Sequence, residues 1–296
     1  MHESVLLSQI ISAGPDGFPE RPDILVGPGD DCAVVESPGG GSTLLTVDQF
    51  VEGVHYRADR PIPEIAAGAV GRSVSDIAAM GGSVRFALAT AALNQALDQK
   101  YAADLFRSMA GCAADWGCPL VGGDIAITEG PTILTVTVIG SPHPVRGPVL
   151  RSGAKPGDLV LVTGQLGAAL ASNWTRTPQP RLELAGRLCE TLGGDLHAMI
   201  DLSDGLGRDA GRIAERSGVA IELDAQSIPL APGIESWKDA IAAGEDYELC
   251  FTCAARPPEA LGCIVVGRVV AGAGCRVIDS AGDTIDVSEL GWDHHA

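Results

Sequence analysis

Aspartates that follow apolar segments are the residues of this sequence best suited to do chemistry. Asp30 and Asp31 are adjacent, and they follow the turn-forming residues 27–29, which end one apolar run. Two adjacent carboxylates repel each other unless a cation lies between or beside them. Apolar segments also end at aspartates further along the chain, and one more aspartate lies inside an alanine-rich helical pattern. The full set is Asp30, Asp31, Asp48, Asp76, Asp124, Asp201 and Asp204.

Each of these aspartates, taken alone, is explained as a turn former or a helix N-cap. The group favours a metal site, because turns have no reason to use aspartate each time and never asparagine or serine. Hard cations such as Mg2+ take oxygen ligands, usually one or two carboxylates together with waters and substrate phosphates. The set therefore predicts a site for several Mg2+ ions, and the turn-former interpretation stays open for each residue.

The motifs that are missing narrow the chemistry that such a site would serve. The chain has no GxxxxGK[ST] phosphate loop, no HRD or DFG kinase motifs and no GxSxG elbow. Its six histidines include no HExxH pair, and its only lysines are Lys100, Lys155 and Lys238. A reaction served by carboxylates and metals, with few lysines, indicates phosphoryl transfer in which Mg2+ neutralises the phosphates.

Charge and composition exclude several classes of partner. The 296 residues are 46% hydrophobic and 20% charged, with a net charge of −18. Such acidity argues against nucleic acid and anionic lipid, because both are polyanions. No apolar stretch approaches the roughly 18 to 20 residues that cross a bilayer, and the start lacks the features of a signal peptide. The eight scattered cysteines favour reduced thiols, so we expect a cytoplasmic protein that binds neither nucleic acid nor membrane.

The elements that must position the aspartates are strands and helices in alternation. Residues 43–51 and 132–140 are β-branched runs typical of strands. Residues 61–80 have small and apolar residues at helical spacing, and residues 98–116 predict a second helix. The alternation is imperfect, so the predicted fold class is α+β, or mixed α/β.

A proline- and glycine-rich stretch over residues 141–158 marks the predicted domain boundary. It separates an N-terminal domain, residues 1–141, from a C-terminal α/β domain, residues 142–296. In the second domain we expect a strand at "DLVLVTG" and helices near 181–192 and 204–216. Cys250 and Cys253 have CxxC spacing, but residues three apart on a strand point to opposite faces, which suits neither zinc nor a disulfide.

Seven motifs together resemble one enzyme family. They are "VGPGDDCAVV", "TVDQFVEGVHY", "SDIAAMGG", "VGGD", "LRSGAKPGDLVLVTGQLG", "IDLSDGL" and "AGEDYELCF". In this order they resemble the signatures of thiamine-monophosphate kinase, a family of the aminoimidazole-ribonucleotide-synthetase-like superfamily. The resemblance implies ATP-dependent phosphorylation of thiamine monophosphate to thiamine diphosphate, the last step of thiamine diphosphate biosynthesis. It also implies a two-domain architecture, with a homodimer formed through the N-terminal domains.

The resemblance also assigns roles to individual residues. Its implied Mg2+ ligands are Asp30, Asp31, Thr46, Val47, Asp48, Asp76, Asp124, Asp201 and Asp204, with Thr46 and Val47 supplying backbone or hydroxyl oxygens. The implied catalytic residues are Asp31, Asp76, Asp124 and Asp204. The implied ATP contacts are Gly123, Asp124, Arg151 and Ser203. The implied contacts to thiamine monophosphate are His55, Glu245 and Trp292.

Several of these residues also have ordinary structural explanations. His55 could be a packed histidine at a strand end, and Arg151 a solvated linker charge. Glu245 could be an exposed acid, although a carboxylate there would complement the thiazolium or aminopyrimidine of thiamine. Trp292 could cap a core. Two positions depart from the family pattern, because Ser73 replaces the usual asparagine and Ile125 the usual threonine.

The acceptor's chemistry agrees with the absence of a histidine-centred base. Its phosphate has a second pKa near 6, so it is largely ionised at neutral pH and needs no deprotonation. The difficulty is to bring two polyanions together in line, since like charges about 4 Å apart cost on the order of 4 kcal/mol at an effective dielectric of 20. Two alternatives remain: a superfamily relative that activates an amide oxygen with ATP, and a metal- or nucleotide-binding protein without catalysis.

Overall fold

The computed structural model of the chain describes residues 21–292 and contains two β-sheets. The predictions that concern residues 1–20 and 293–296, namely the absence of a signal peptide and the outer bounds of the two domains, lie outside the described residues. The first sheet has the strand order β1-β2-β3-β6-β4-β5. Its strands are β1 (Ile24–Val26), β2 (Ala33–Glu36), β3 (Ser42–Val51), β4 (Ser83–Asn94), β5 (Leu120–Thr128) and β6 (Ile133–Ser141).

Two helices cover one face of this sheet, α1 (Ile62–Ala79) and α2 (Gln99–Asp115). Side chains alternate between the two faces of each strand, and the apolar face of the sheet packs against these helices. On β3, Leu44 and Phe50 are buried on that face, while Val47 on the opposite face is 60% exposed. The small residues of α1 allow a close approach, and a Cβ at Gly68 would lie 2.6 Å from the Phe50 ring. Both predicted helices are confirmed within one or two residues of their expected ends.

The second sheet has the order β13-β12-β9-β11-β7-β10-β8. Its strands are β7 (Leu159–Val162), β8 (Leu196–Asp201), β9 (Ala220–Asp224), β10 (Leu249–Cys253), β11 (Ile264–Val270), β12 (Gly274–Ile278) and β13 (Thr284–Asp286). The helices of this half are α3 (Ala168–Ala171), α4 (Leu182–Leu192), α5 (Leu206–Ser217) and α6 (Trp237–Ala242), with 3-10 turns at Gly193–Asp195 and Glu259–Leu261. The mixed α/β class is confirmed.

Each face of the second sheet buries a different core. Leu206 and Ile213 of α5 pack against Val162, and Leu188 of α4 belongs to the core that contains Phe251. That second core also includes Ala78 and Ala79 at the end of α1 and so joins the two halves. Each sheet lies on one side of the predicted 141–158 boundary, and the division into domains stays a prediction.

The structure corrects the positions of two aspartates. Asp48 and Asp124 do not end their strands, because β3 continues to Val51 and β5 continues to Thr128. In both cases apolar and β-branched residues follow the aspartate and extend the strand. The apolar run predicted to end at Asp201 is strand β8, whose last residue is Asp201.

The described cysteines are all free thiols, as the sequence predicts. Cys250 and Cys253 lie on β10 and contribute to two different cores, one on each face of the second sheet. Their burial raises the pKa of both thiols. Over residues 21–292, no helix is both long enough and apolar enough to cross a membrane.

Candidate active site

Three aspartates from distant parts of the chain form a cluster between the two halves. Carboxylate oxygens of Asp31, Asp76 and Asp201 all lie within 4.8 Å of one another. Asp31 lies in the turn between β1 and β2, Asp76 lies in α1, and Asp201 is the last residue of β8. We call these three residues the aspartate cluster. Asp201 is 2% exposed and Asp31 is 8% exposed, whereas Asp76 is partly exposed.

Burial and mutual repulsion govern the charge of the cluster. Burial raises the pKa of Asp76 well above its usual value, and the neighbouring Asp48 and Asp201 add to the increase. Burial also raises the pKa of Asp201 well above its usual value, with Asp31 contributing. The pKa of Asp48 is raised by burial too, although Arg72 partly offsets it. Carboxylates whose pKa values are raised in this way are stabilised either by protons or by a cation that binds between them.

Hydroxyl groups orient two carboxylates of the cluster. Ser75 Oγ donates a hydrogen bond of 2.6 Å to Asp201 Oδ2, and Thr46 Oγ1 donates to Asp76 Oδ2. Asp31 Oδ1 accepts from Arg151 Nη2 at 2.7 Å, whereas Asp31 Oδ2 is buried without a hydrogen-bond partner. A buried carboxylate oxygen without a partner, facing two other carboxylates, fits a hard cation with oxygen ligands.

The adjacent Asp30 has a different environment from Asp31. Its carboxylate oxygens accept hydrogen bonds from the backbone N–H of Arg151 at 3.1 and 3.2 Å, and Oδ1 also accepts from the Asp31 N–H. Burial and the charge of Asp31 raise the pKa of Asp30 to about 6. Asp30 therefore shows the turn-forming contacts considered in the sequence, while Asp31 points into the cluster. The repulsion between them is reduced by Arg151, which contacts both.

Arg151 is not the solvated linker charge considered in the sequence. Its side chain is 18% exposed and forms an ion pair with Asp31, 120 residues away. Burial alone would lower the pKa of Arg151, but Asp31 and Asp30 raise it above its ordinary value. The guanidinium stays charged at the edge of the cluster.

Asp124 lies apart from the cluster. β5 is an edge strand of the first sheet among the described residues, and Asp124 is exposed near its middle. The register aligns Asp124 with Thr90, Thr135 and Gln49, whereas Asp48 is one residue along β3 and projects from the face that α1 covers. Strand alternation therefore places Asp124 on the open face of the sheet, and its metal role stays a prediction.

The neighbouring backbone positions also have specific environments. A Cβ at Gly123 would lie 1.7 Å from the Ala89 carbonyl oxygen, so the pairing of β5 with β4 itself requires glycine there. Val47 is 60% exposed on the open face, while the adjacent Thr46 is buried and bonds Asp76. Of these two predicted ligands, only Thr46 directs its side chain towards the cluster.

A cavity of about 790 Å³ brings together the predicted substrate residues, and its wall includes Arg72, one helical turn from Asp76 of the cluster. Its wall includes His55, Glu245 and Trp292, and also Ser203 and Asp204. These residues come from the β3–α1 connection, the segment before β10, the end of the described chain and the β8–α5 loop. The sequence placed Ser203 among the ATP contacts, and the structure places it in the same cavity as the predicted substrate contacts.

The three predicted substrate residues differ in how firmly they are held. His55 Nδ1 accepts from the Val51 N–H at 2.9 Å, and its ring stacks on Phe50 with centroids 5.8 Å apart. Glu245 accepts from Arg72 Nη1 at 3.0 Å, and its φ of 67° lies in the left-handed region. Trp292 is 49% exposed.

Two groups of residues at the site were missed by sequence reasoning. Asp209 is buried, and its Oδ2 accepts from the backbone N–H of Asp204 and Gly205, both at 3.0 Å, which fixes the β8–α5 loop. Arg212 bonds both Asp209 and Asp204. The i, i+3 spacing of Asp209 and Arg212 on one helix was the signal available for this pair.

Arg72 and Ser75 form the other missed group. Both lie on α1 within one turn of Asp76, so their helical spacing was a usable signal. Ser73, the departure noted in the sequence, is fully buried and donates to the Val136 carbonyl oxygen at 2.8 Å. This bond ties α1 to the first sheet. Ile125, the other departure, is 56% exposed on β5.

Comparisons with known proteins agree with this architecture. A family model described as AIR synthase related protein, N-terminal domain, matches residues 29–141. The thiamine-monophosphate kinase of Rhodopirellula baltica is 34% identical over 262 residues, 81% of this chain and 79% of that protein. The one from Bacillus subtilis is 33% identical over 254 residues, 77% of each. A solved structure described as AaThiL complexed with AMPPCP and TMP has a TM-score of 0.82 at 28% identity, covering 99% of this chain and 97% of that one.

The two sheets, the matched N-terminal domain and the aspartate cluster define an AIR synthase-like protein. The identity to the curated enzymes over most of both chains is more specific. The chain belongs to the thiamine-monophosphate kinase family. The family resemblance inferred from its seven motifs is confirmed, and so is its class as a kinase.

Proposed function

We propose that this chain transfers the γ-phosphoryl group of ATP in line to the phosphate of thiamine monophosphate, giving thiamine diphosphate and ADP. The observation that carries the proposal is the position of the aspartate cluster beside the cavity lined by His55, Glu245 and Trp292. A site for phosphate-bound cations thus adjoins a site large enough for the two rings of thiamine. The family membership supports the same reaction.

The reaction needs little from the protein beyond positioning. An ionised oxygen of the acceptor phosphate attacks the γ-phosphorus, the bond from that phosphorus to the β,γ-bridging oxygen breaks, and ADP leaves with the electron pair. No proton has to be removed from the acceptor. The carboxylates of Asp76 and Asp201 are thus best explained as cation ligands rather than as general bases.

The residues that would hold Mg2+ are those of the aspartate cluster, together with the neighbouring Asp48. The Thr46 hydroxyl, which donates to Asp76, would support this site. When bound, Mg2+ would neutralise phosphate oxygens of donor and acceptor. Ser75 and Arg151 keep Asp201 and Asp31 oriented for this purpose. Asp204, at the cavity wall, is the further predicted ligand on the acceptor side.

The cavity would take the thiamine rings. Trp292 offers an exposed indole face for stacking, and His55 is held by its contacts with Val51 and Phe50. Glu245 has its carboxylate in the wall, where one oxygen bonds Arg72. The second oxygen would accept from the aminopyrimidine of the substrate.

ATP would bind through Arg151 and Ser203 and through the Gly123 backbone, with Asp124 as a further metal ligand. Asp124 lies on the open face of the first sheet, so this assignment fits a homodimer in which a second copy covers that face. Val47 and Leu88, which project from the same open face, are 60% and 40% exposed in one protomer, which is consistent with a covering partner. The cytoplasmic location stays a prediction.

A coupled assay tests the proposal. With Mg2+ and ATP, we expect ADP release that depends on thiamine monophosphate and matches thiamine diphosphate formation mole for mole. Thiamine and formylglycinamidine ribonucleotide serve as matched acceptors, and the second of these tests the amide-activating alternative. ATP and Mg2+ binding without any thiamine diphosphate would contradict the proposal and favour a binding protein.

A further inference from the structure

Among residues 21–292, Arg72 is the arginine on the wall of the cavity that also lies within one helical turn of the aspartate cluster. It precedes Asp76 by four residues on α1, so the two side chains emerge from the same face of the helix. Its side chain is only 14% exposed. Arg72 therefore places a buried positive charge where the cavity meets the cluster.

The charge of Arg72 is permanent. Burial alone would lower the pKa of its guanidinium, but Tyr247 and Asp48 raise it above its ordinary value, and Glu245 and Asp76 contribute in the same direction. The guanidinium is therefore cationic whether or not metals are bound.

Its surroundings hold the guanidinium in place and leave most of its donors available. Arg72 Cζ lies 5.9 Å from the Phe50 ring centroid and 6.0 Å from the Tyr247 ring centroid, so two aromatic faces fix the orientation of the guanidinium. One Nη1–H bonds Glu245, and Nε is buried without a partner. A guanidinium carries five N–H donors, and described residues accept from only one of them.

The cavity's other buried arginine is used differently. Arg60 donates to Glu64 and to the carbonyl oxygens of Thr175 and Arg176, so its donors serve the protein itself. A planar cation with free donors, held rigid at the inner end of a cavity, is what bidentate phosphate binding requires.

We propose that Arg72 binds the phosphate of the acceptor at the point where the cavity meets the aspartate cluster, and so selects the phosphorylated acceptor over its alcohol. This inference rests on the proposed function. In this role Arg72 attracts an anion that the carboxylates would otherwise repel, while Glu245 restricts its direction. Arg72 is a substrate-binding residue that determines specificity.

The alternative is that Arg72 only neutralises Glu245 and supports the cavity wall. The two roles differ in one measurable respect. A phosphate-binding arginine affects thiamine monophosphate and leaves thiamine nearly unaffected, because the two ligands differ only in the phosphate. A wall-supporting arginine affects both ligands alike.

The test measures binding of thiamine monophosphate and of thiamine to the full chain by calorimetry, with Mg2+ present and no ATP. For Arg72→Gln we expect at least a tenfold loss of affinity for thiamine monophosphate and less than a threefold change for thiamine. Arg72→Lys keeps the charge without the bidentate fork, so it should recover part of the loss. Arg107→Gln removes an exposed charge outside the cavity that pairs with Asp104, and it should leave the ratio of the two affinities within twofold.

An equal loss for both ligands, or no loss for either, would overturn the inference. Should Arg72→Gln fold poorly because Glu245 loses its partner, the pair Glu245→Gln and Glu245→Gln/Arg72→Gln makes the same comparison without the unpaired carboxylate. The coupled assay on the wild-type protein tests the proposed reaction separately from the role of Arg72. Thiamine diphosphate formation by the wild type together with unchanged discrimination in Arg72→Gln refutes only the role of Arg72.

Discussion

The aspartate cluster and the Asp209–Arg212 pair both place carboxylates near the β8–α5 loop. In the pair, the arginine bonds the buried aspartate directly and also bonds the neighbouring Asp204, whereas the cluster has no cation that contacts all three of its aspartates among the described residues. Arg212 bonds both Asp209 and Asp204. In the cluster, Arg151 reaches Asp31, whereas the hydrogen bonds to Asp76 and Asp201 come from the hydroxyls of Thr46 and Ser75. The difference supports the proposal that the cluster takes a cation from outside, whereas Asp209 and Arg212 already neutralise each other within the fold.

The largest expected effect is on turnover, in the cluster. Asp76→Asn should lower kcat by on the order of 10²- to 10³-fold, because it removes a carboxylate that would hold the Mg2+ ions neutralising the phosphates. Its stability should stay within about 1 kcal/mol of wild type or exceed it, since a repelling buried charge is lost. Steady-state kinetics and urea unfolding measure the two quantities. A large loss of stability with normal turnover per folded molecule would support the turn-former interpretation instead.

The pair should respond in the opposite way. Asp209→Asn has only one acceptor oxygen, so its NH2 group must face either Arg212 or the N–H groups of the loop, and we expect a loss of about 3 kcal/mol in the free energy of unfolding. Urea unfolding in parallel with Asp76→Asn checks the contrast. Equal stabilities of the two variants would remove the distinction between the two regions.

The pH dependence of stability sharpens the comparison. Burial raises the pKa of Asp30 to about 6 and that of Asp209 to about 7, and it also raises the pKa of Asp76 and of Asp201 well above the usual value. Between about pH 4 and these raised values the folded state binds more protons than the unfolded state, so stability falls as pH rises.

Thermal unfolding in EDTA should therefore show Tm decreasing from pH 5 to pH 8. The increase in Tm caused by Mg2+ should grow over the same range, because the cation replaces the lost protons. Asp76→Asn should show a reduced Mg2+ increment at every pH, and Asp209→Asn should keep the wild-type increment. A Mg2+ effect that is independent of pH in the wild type would contradict this coupling.

The smallest expected effect concerns Ser75. Ser75→Ala removes the 2.6 Å hydrogen bond to Asp201, so the carboxylate is less well oriented for a metal. We expect a 10- to 100-fold weaker apparent Mg2+ affinity, on the general scale for residues that support metal ligands, with kcat at saturating Mg2+ nearly restored. Titration of activity with Mg2+ measures it. Ser73→Ala, which loses a bond to Val136 instead, is the matched control and should leave Mg2+ affinity unchanged.

Local patterns predicted much of the fold and part of the site. The small-residue periodicity of 61–80 predicted the helix that carries Asp76, and the apolar run predicted to end at Asp201 coincides with the end of β8. Local patterns failed for Asp48 and Asp124, because strand-forming residues continue beyond each aspartate. Strand alternation then decides which face each carboxylate takes, and that depends on the pairing of whole strands.

Contacts between distant residues had no local signal at all. Arg151 meets Asp31 across 120 residues, and Arg72 meets Glu245 across 173. Each pair forms only when the turn before β2, α1 and the second sheet are assembled. The motifs identified the family, and the partners of its charged residues required the folded chain.

The most direct test of the account is the position of divalent ions in a crystal grown with Mn2+, a non-hydrolysable ATP analogue and thiamine monophosphate. We predict anomalous peaks in direct contact with carboxylate oxygens of Asp31, Asp76 and Asp201, adjoining the phosphates of both ligands. Full occupancy of both ligands with no metal on those three carboxylates would contradict the account.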